Sequence, residues 1–220
     1  MSVSSQVNAL RKSIPPGVKM VAVSKFHSNE TILEAYAAGQ RLFGESRVQE
    51  LVVKQQELPA DIEWHFVGGL QRNKVKQIAP FISLVHSLDS ERLMREINKQ
   101  GAANNRVIPC LLQIHIAEED TKSGFTPDEC RRLLSTGAWK EYSHVQLAGV
   151  MGMATYTDNE EQVRDEFRRL KSLFDEWKTD YFSDTPAFKE ISMGMSGDYT
   201  TAIEEGSTMV RLGTVLFGER

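Results

Sequence analysis

The segment Gly206-Ser-Thr-Met-Val-Arg-Leu-Gly-Thr-Val-Leu-Phe-Gly218 places one arginine, Arg211, inside an apolar run with the character of a β-strand. Small and hydroxyl residues surround the arginine here and recur in Ser192-Met-Gly-Met-Ser-Gly-Asp198. Small residues let the backbone approach a ligand closely, and successive backbone N–H groups bind an anion. The two clusters therefore predict a phosphate-binding site, and two ordinary turns are the alternative interpretation.

A short β-prone run near the amino terminus, Val21-Ala-Val-Ser-Lys25, ends in a lysine. Side chains alternate along a strand, so Val21, Val23 and Lys25 lie on one face of the predicted strand. A lysine there is either a solvated charge at the rim or an amine inside a site, where desolvation and nearby cations make it a nucleophile toward carbonyls. With Arg211 and the phosphate site, Lys25 suggests a phosphorylated aldehyde bound as a Schiff base.

Length and composition indicate an ordinary globular protein. The chain has 220 residues, of which 40% are hydrophobic and 25% charged, so one domain over 1–220 is the expectation. The net charge of −4 argues against a nucleic-acid partner. Cys110 and Cys130 match neither a metal site nor a disulfide framework, and no run has the length of a signal peptide or a membrane span. We therefore expect a soluble, cytoplasmic protein without a membrane or metal partner.

Strand-like and helix-like segments alternate along the whole chain. The predicted strands are 21–25, 41–44, 62–67, 84–88, 107–116, 146–153, 188–193 and 208–217. Each strand but the last precedes a predicted helix, and another helix is expected near 3–13. Two helix starts have clear caps, at Ser28 and at Thr126-Pro-Asp-Glu129, where a capping box has proline at the first helical position. The long helix near 159–178 carries one apolar stripe, which is typical of a helix that faces a core.

Eight repeated βα units predict a (β/α)8 barrel of the TIM type. Parallel strands need crossover connections, and eight of them suggest closure, with an open doubly wound sheet as the alternative. In a closed barrel the carboxyl ends of the strands meet at one rim, and the eighth strand neighbours the first. Closure therefore brings Lys25 next to Arg211, which is the best internal argument for a barrel.

Ordered short motifs along nearly the whole chain resemble those of the pyridoxal 5′-phosphate (PLP) homeostasis protein family. The motifs include Ala22-Val-Ser-Lys25, Phe43-Gly-Glu45, Trp64-His-Phe-Val-Gly68, Val85-His-Ser87, Lys122-Ser-Gly124, Leu147-Ala-Gly-Val-Met151, Ser192-Met-Gly-Met-Ser196 and Gly206-Ser-Thr-Met-Val-Arg211. The resemblance implies a barrel like the N-terminal domain of alanine racemase. It also implies that the protein binds PLP without a robust catalytic activity of its own.

The resemblance implies a role for individual residues. Lys25 matches the family lysine that forms the internal aldimine with PLP, and Arg211 matches the arginine that faces the pyridine nitrogen. Ser196, Gly213 and Thr214 match the phosphate-binding positions, with Ser196 near the start of a short helix whose dipole favours an anion.

Further cofactor-binding candidates follow from the same motifs. Ser192 and Ser207 lie in the glycine-rich segments, and His65 and Met151 lie on predicted strands where they would line the ring pocket. For His65 the alternative is a hydrogen-bonded core histidine. Ser46 stands where the family commonly has asparagine, so a hydroxyl of shorter reach replaces an amide near the cofactor.

The arginine bears on what the cofactor would do. A guanidinium only donates hydrogen bonds, so the pyridine nitrogen beside it stays unprotonated and the ring is a poorer electron sink. Alanine racemases carry the same arginine but add a second domain with a tyrosine base, and we expect no such domain here.

We therefore expect a monomeric carrier that holds PLP on Lys25 and delivers it to apo-enzymes, with no catalytic residues of its own. The alternatives are a single-domain PLP-dependent racemase and a barrel aldolase that uses Lys25 as its own Schiff base.

Overall fold

The computed structural model describes residues 2–118 and 123–219. Its strands are β1 (Lys19–Val23), β2 (Leu42–Glu45), β3 (Glu63–Phe66), β4 (Leu84–Leu88), β5 (Ile108–Gln113), β6 (Val145–Met151), β7 (Glu190–Ser192) and β8 (Met209–Leu212). All pairs are parallel, the strands follow one another in sequence order, and β1 pairs with β8 to close the barrel. The predicted (β/α)8 barrel is confirmed, and the open sheet is wrong. Lys122 of the family motif lies outside the described residues.

Helices follow the strands around the outside of the barrel. They are α1 (Val3–Ser13), α2 (Asn29–Ala37), α3 (Val48–Glu57), α4 (Val75–Ile78), α5 (Glu91–Ala103), α6 (Pro127–Thr136), α7 (Glu160–Asp180), α8 (Tyr199–Glu204) and α9 (Thr214–Phe217), with 3-10 turns at Arg72–Lys74 and Ala138–Glu141. The predicted caps are confirmed: Ser28 Oγ accepts the N–H of Thr31, and Thr126 and Glu129 form a capping box. The stripe of α7 is buried, as predicted.

The last predicted strand, 208–217, is wrong beyond Leu212. Gly213 leaves the extended conformation (φ −114, ψ −82), and its carbonyl accepts the N–H groups of Leu216 and Phe217. A short helix, α9, therefore replaces the second half of the predicted strand. The fifth strand is also shorter than predicted, since it ends at Gln113 and is followed only by an isolated bridge.

The barrel wall separates two apolar cores. The larger core lies between the sheet and the helices, and the smaller one fills the lumen. The lumen core consists of Val21, Leu84, Leu111, Ala148, Met151 and Met209. Gly149 (φ +146) allows β6 to approach β7, because a Cβ there would overlap the carbonyl oxygen of Glu190. Packing of this kind leaves the carboxyl rim of the strands as the place where polar side chains meet.

Within 2–118 and 123–219, the helices include none with the length and apolar character that crossing a membrane requires.

Candidate functional site

A cavity of about 510 Å³ opens at the carboxyl rim of the barrel. Its described lining consists of Val23, Lys25, Ser46, Val67, Gly68, Gly69, Gln113, Ser123, Met153, Met195, Ser196, Arg211, Gly213 and Thr214. These residues follow strands on all sides of the barrel, as expected for a site in this fold. Its volume is typical of a pocket for a small organic ligand.

The structure brings six of the predicted site residues together at this cavity. They are Lys25, Ser46, Ser196, Arg211, Gly213 and Thr214. Closure of the barrel is the reason, because Val21 of β1 lies in register with Arg211 of β8. Lys25 lies just beyond the end of β1, on the same side as Val23, which agrees with the predicted alternation.

The other four predicted residues do not line the cavity. Met151 packs in the lumen core. Ser207 Oγ donates toward backbone carbonyl oxygens, with Met193 O the nearest at 2.8 Å. Ser192 lies beneath Arg211, and His65 is a buried core histidine hydrogen-bonded to His86, which was the alternative interpretation for His65. Any influence of Ser192 or His65 on a ligand in this cavity passes through other residues.

Charged side chains hold the backbone on both sides of Lys25. Before it, the carbonyl of Ser24 accepts a hydrogen bond from Lys54 Nζ at 2.8 Å. After it, the N–H of Phe26, a residue in the left-handed region (φ +66), donates to Glu50 Oε2 at 2.9 Å. The loop that carries Lys25 is thus fixed by residues of α3, the helix that follows the neighbouring strand.

Beneath this loop lies a buried ion pair. Lys54 Nζ is 2.7 Å from Glu45 Oε1, which also accepts the hydroxyl hydrogen of Ser24 at 2.8 Å. The Glu45 side chain is fully buried, and its second oxygen has no hydrogen-bond partner among the described residues. Burial raises the pKa of the Glu45 carboxyl, and the hydrogen bond and charge of Lys54 oppose that rise only in part. Sequence reasoning assigned no role to Glu45, Glu50 or Lys54, and the contact of α3 with the lysine loop was not predicted.

Arg211 is 96% buried and extends from β8 toward β7. Its Nη1 donates to Ser192 O at 2.8 Å and to Ser192 Oγ at 2.7 Å, and its Nη2 donates to Gly152 O at 3.1 Å. Burial lowers the pKa of the guanidinium to about 10, so it remains positively charged at neutral pH. These bonds leave its Nε–H without a partner among the described residues, and Arg211 therefore offers a donor to a ligand in the cavity.

Backbone N–H groups just after Arg211 in the sequence are directed at the side chain of Ser196. The N–H groups of Gly213 and Val215 both donate to Ser196 Oγ, each at 3.3 Å. Two backbone donors are thus directed at one hydroxyl oxygen, and the phosphate-binding role of the glycine-rich segments stays a prediction. Ser196, Gly213 and Thr214 line the cavity at this point.

The described lining of the cavity contains two titratable side chains, those of Lys25 and Arg211. Both are cationic when protonated, so the site suits an anionic ligand that carries a carbonyl group. In the part of the chain that the structure describes, no group of three or more histidine, cysteine or carboxylate side chains is arranged to hold a metal ion.

The fold is that of the alanine racemase barrel. The family model for "Alanine racemase, N-terminal domain" matches residues 2–220. The alanine racemase of Bartonella henselae shares the fold, with a TM-score of 0.72 at 15% identity over 100% of this chain and 60% of that chain. At that identity the likeness concerns the fold alone.

Proteins with higher sequence identity to this chain identify its family within the alanine racemase fold. The pyridoxal phosphate homeostasis protein of Aquifex aeolicus is 42% identical over 203 residues, which cover 92% of this chain and 87% of the relative. That of a Synechocystis species is 35% identical, over 100% and 98%. PipY of Synechococcus elongatus, solved with PLP bound, is 34% identical with a TM-score of 0.88, over 98% of this chain and 100% of that chain. The chain belongs to the family of pyridoxal phosphate homeostasis proteins.

Proposed function

We propose that this chain binds PLP in the cavity at the carboxyl rim and serves the homeostasis of this cofactor. The observation that carries the proposal is that Lys25 and Arg211, at opposite ends of the sequence, line one cavity together with Ser196, Gly213 and Thr214. The PLP-bound structure of PipY and the names of the relatives support the same ligand here.

The residues present fit PLP group by group. The amine of Lys25 suits the aldehyde, and the Nε–H of Arg211 suits the ring nitrogen. The cluster of Ser196, Gly213 and Thr214, where the N–H groups of Gly213 and Val215 meet the Ser196 hydroxyl, suits the phosphate. When bound, PLP supplies an electrophilic carbonyl that condenses with a primary amine and releases water. We propose that Lys25 Nζ is that amine and that the attachment is covalent and reversible.

We further propose that the protein stores PLP and delivers it to apo-enzymes instead of catalysing a reaction. Racemisation requires proton transfer by groups on both faces of the substrate. The described lining offers Lys25 and Arg211 but no histidine, tyrosine or carboxylate. The same proposal includes a monomer, one PLP-binding domain over 1–220 and a reducing, cytoplasmic location, which suits the two free and buried thiols of Cys110 and Cys130.

Absorption spectroscopy with borohydride trapping tests the attachment. Purified protein is incubated with PLP, its visible spectrum is recorded, and borohydride reduction is followed by mass spectrometry of peptides. We expect a visible band that reduction converts into a stable adduct on Lys25. Lys25→Ala should lose the adduct, whereas Lys76→Ala, at an exposed position of α4, should keep it. The absence of a band after addition of PLP would refute the proposed function.

Delivery and catalysis need separate assays. PLP-loaded protein is mixed with an apo-enzyme in the presence of a scavenger of free PLP, and recovery of enzyme activity is followed. Recovery that exceeds that from free PLP supports delivery, and equal recovery contradicts it. The loaded protein is also incubated with L-alanine, and formation of the D-enantiomer would favour the racemase alternative.

A further inference from the structure

A continuous chain of hydrogen-bonded side chains runs through the barrel lumen from Arg211. Ser192 Oγ, 2.7 Å from Arg211 Nη1, lies 2.9 Å from His86 Nδ1, and His86 Nε2 lies 3.0 Å from His65 Nδ1. All four residues are at least 96% buried. His65 then borders a second cavity of about 400 Å³, which Lys19 and Glu190 also line. The chain links the cofactor cavity to the opposite, amino-terminal mouth of the barrel.

Arg211 fixes the direction of every hydrogen bond in this chain. A guanidinium has no acceptor, so Ser192 Oγ accepts from Nη1. The hydroxyl hydrogen of Ser192 is then available for His86 Nδ1, which accepts it. A neutral imidazole that accepts at Nδ1 carries its proton on Nε2, so His86 donates to His65 Nδ1. By the same logic His65 carries its proton on Nε2, toward the second cavity.

The reverse direction leaves a group unsatisfied. If His86 donated from Nδ1, Ser192 Oγ would accept two hydrogen bonds and its own hydrogen would have no acceptor among the described residues. Buried polar hydrogens are rarely left unpaired, because their desolvation is not compensated. Both histidines are neutral at pH 7, since burial lowers the pKa of His65 to about 3 and that of His86 well below its usual range.

We propose that His86 and His65 are positioning residues, each held as the Nε2–H tautomer, and that through Ser192 they fix the guanidinium of Arg211 in the orientation that presents a donor to the cavity. The consequence for PLP rests on the proposed function, whereas the tautomers follow from this chain alone. Neutral imidazoles suit the task because they orient a buried cation without adding a second charge beside it.

Nitrogen-15 NMR of histidine-labelled protein without PLP tests the tautomers. His144 is the internal control, because its Nδ1 lies 3.0 Å from the carbonyl oxygen of Arg106, which only accepts, so Nδ1 must carry a proton. At pH 7 we expect His65 and His86 to show the Nε2–H pattern and His144 a protonated Nδ1. A protonated Nδ1 at His65 or at His86 would overturn the proposal.

Removal of the Ser192 hydroxyl tests the link to Arg211. In Ser192→Ala we expect altered nitrogen-15 shifts at His86, a shifted absorption band of bound PLP and roughly tenfold faster PLP release, as for loss of a hydrogen bond with a charged partner. Ser87→Ala is the matched control, because Ser87 is equally buried but its hydroxyl has no partner among the described residues.

The two proposals fail in different ways. Unchanged spectra and unchanged PLP release in Ser192→Ala would overturn the positioning role while leaving PLP binding intact. If the unsubstituted protein does not bind PLP, the proposed function fails, and the NMR result alone decides whether the tautomers are as inferred.

Discussion

The two cationic residues of the cavity are supported in opposite ways. Lys25 sits on a loop whose neighbouring backbone is held by charged side chains, with the Glu45–Lys54 pair buried beneath it. Arg211 carries its own buried charge and is hydrogen-bonded to neutral groups, namely a serine, backbone carbonyls and, through the serine, two imidazoles. Burial lowers the pKa of Arg211, and the charge of Asp198 raises it by less. Near Lys25, charged side chains therefore fix the backbone. Around Arg211, neutral hydrogen-bonding groups instead hold a charged side chain.

Because of this difference, we expect the residues near Lys25 to determine the stability of the fold and those near Arg211 to determine the orientation of the guanidinium. Removing one member of a buried ion pair leaves an uncompensated charge, which is among the most costly single changes in a protein. Removing a neutral member of a hydrogen-bond chain leaves only an unsatisfied dipole. Substitutions on the lysine side should consequently be read out mainly as loss of folding free energy, and those on the arginine side mainly as changes in the bound ligand.

The largest effect is expected for Lys54→Ala. It leaves the fully buried Glu45 carboxylate without its cation and removes one of the two hydrogen bonds to the Ser24 carbonyl, which keeps only the bond from the N–H of His27. We therefore expect a loss of about 3–5 kcal/mol in unfolding free energy. Urea denaturation measures this loss. The control is Arg95→Ala, which breaks an exposed pair with Glu91 and should cost at most about 1 kcal/mol. Similar losses in both variants would contradict the importance of the buried pair.

Arg211→Gln should act on the ligand more than on its attachment. The variant loses the charge and the guanidinium donors, so we expect PLP to dissociate roughly 10- to 100-fold faster while borohydride still traps it on Lys25. Dissociation into a scavenger solution, followed by the loss of the visible band, measures the rate. Arg131→Gln, which disrupts an ion pair with Glu176 outside the cavity, is the control. An unchanged spectrum and rate would refute the placement of Arg211 at the ring nitrogen.

The neutral histidines predict a dependence of stability on pH. Because the pKa of His65 falls from 6.5 to about 3 on folding, the unfolded chain binds more protons between these values. The stability that the neutral imidazole contributes is therefore fully present above about pH 6.5 and is lost as the pH falls toward 3, by up to about 1.4 kcal/mol per pH unit. Urea denaturation at pH 6 and pH 5 should show a smaller decrease for His65→Gln than for the unsubstituted protein. Equal decreases would indicate that the imidazole is not held neutral.

How much of the site the sequence predicts depends on the range of the interactions. The sequence predicts that Lys25 and Arg211 lie at one cavity, as they do in the structure, because closure of a parallel barrel joins the first and last strands whatever the details of packing. The break at Gly213 was missed, since the apolar pattern continues across it as it would in a strand. Periodicity records which residues are apolar, but not where one glycine leaves the extended conformation.

The residues that hold Lys25 and Arg211 in place cannot be predicted from sequence patterns. Lys54 and Glu45 are nine residues apart on different elements, and their pairing depends on how α3 packs against β2. His86 joins Ser192 across more than a hundred residues, and only the register of the barrel directs both into the lumen. A lone histidine on an apolar strand carries no signal that distinguishes a positioning residue from any other buried imidazole.

The smallest predicted effect concerns Phe26, the residue next to Lys25. Its left-handed backbone (φ +66) costs an L-residue about 1–2 kcal/mol but costs glycine nothing. Phe26→Gly and Phe26→Ala both remove the contact of the ring with the Arg47 guanidinium, at 4.2 Å, so the difference between them reports the backbone alone. After the greater unfolded-state entropy of glycine is subtracted, we expect the glycine variant to be more stable by roughly 0.5–1 kcal/mol in urea denaturation.

Ala9→Gly, on the exposed face of α1, is the control for position 26. There glycine should lower the unfolding free energy by about 1 kcal/mol relative to alanine, which is the opposite of the effect expected at Phe26. If alanine proved the more stable residue at position 26 as well, the loop beside Lys25 would not be held in a strained conformation. The hydrogen bond from the Phe26 N–H to Glu50 would then have no strain to offset. The expected result instead means that the charged side chains of the lysine side hold the loop against its own backbone preference. The hydrogen-bonded chain of Ser192, His86 and His65 behind Arg211 does not have to hold a strained backbone, because Arg211 lies within the regular strand β8.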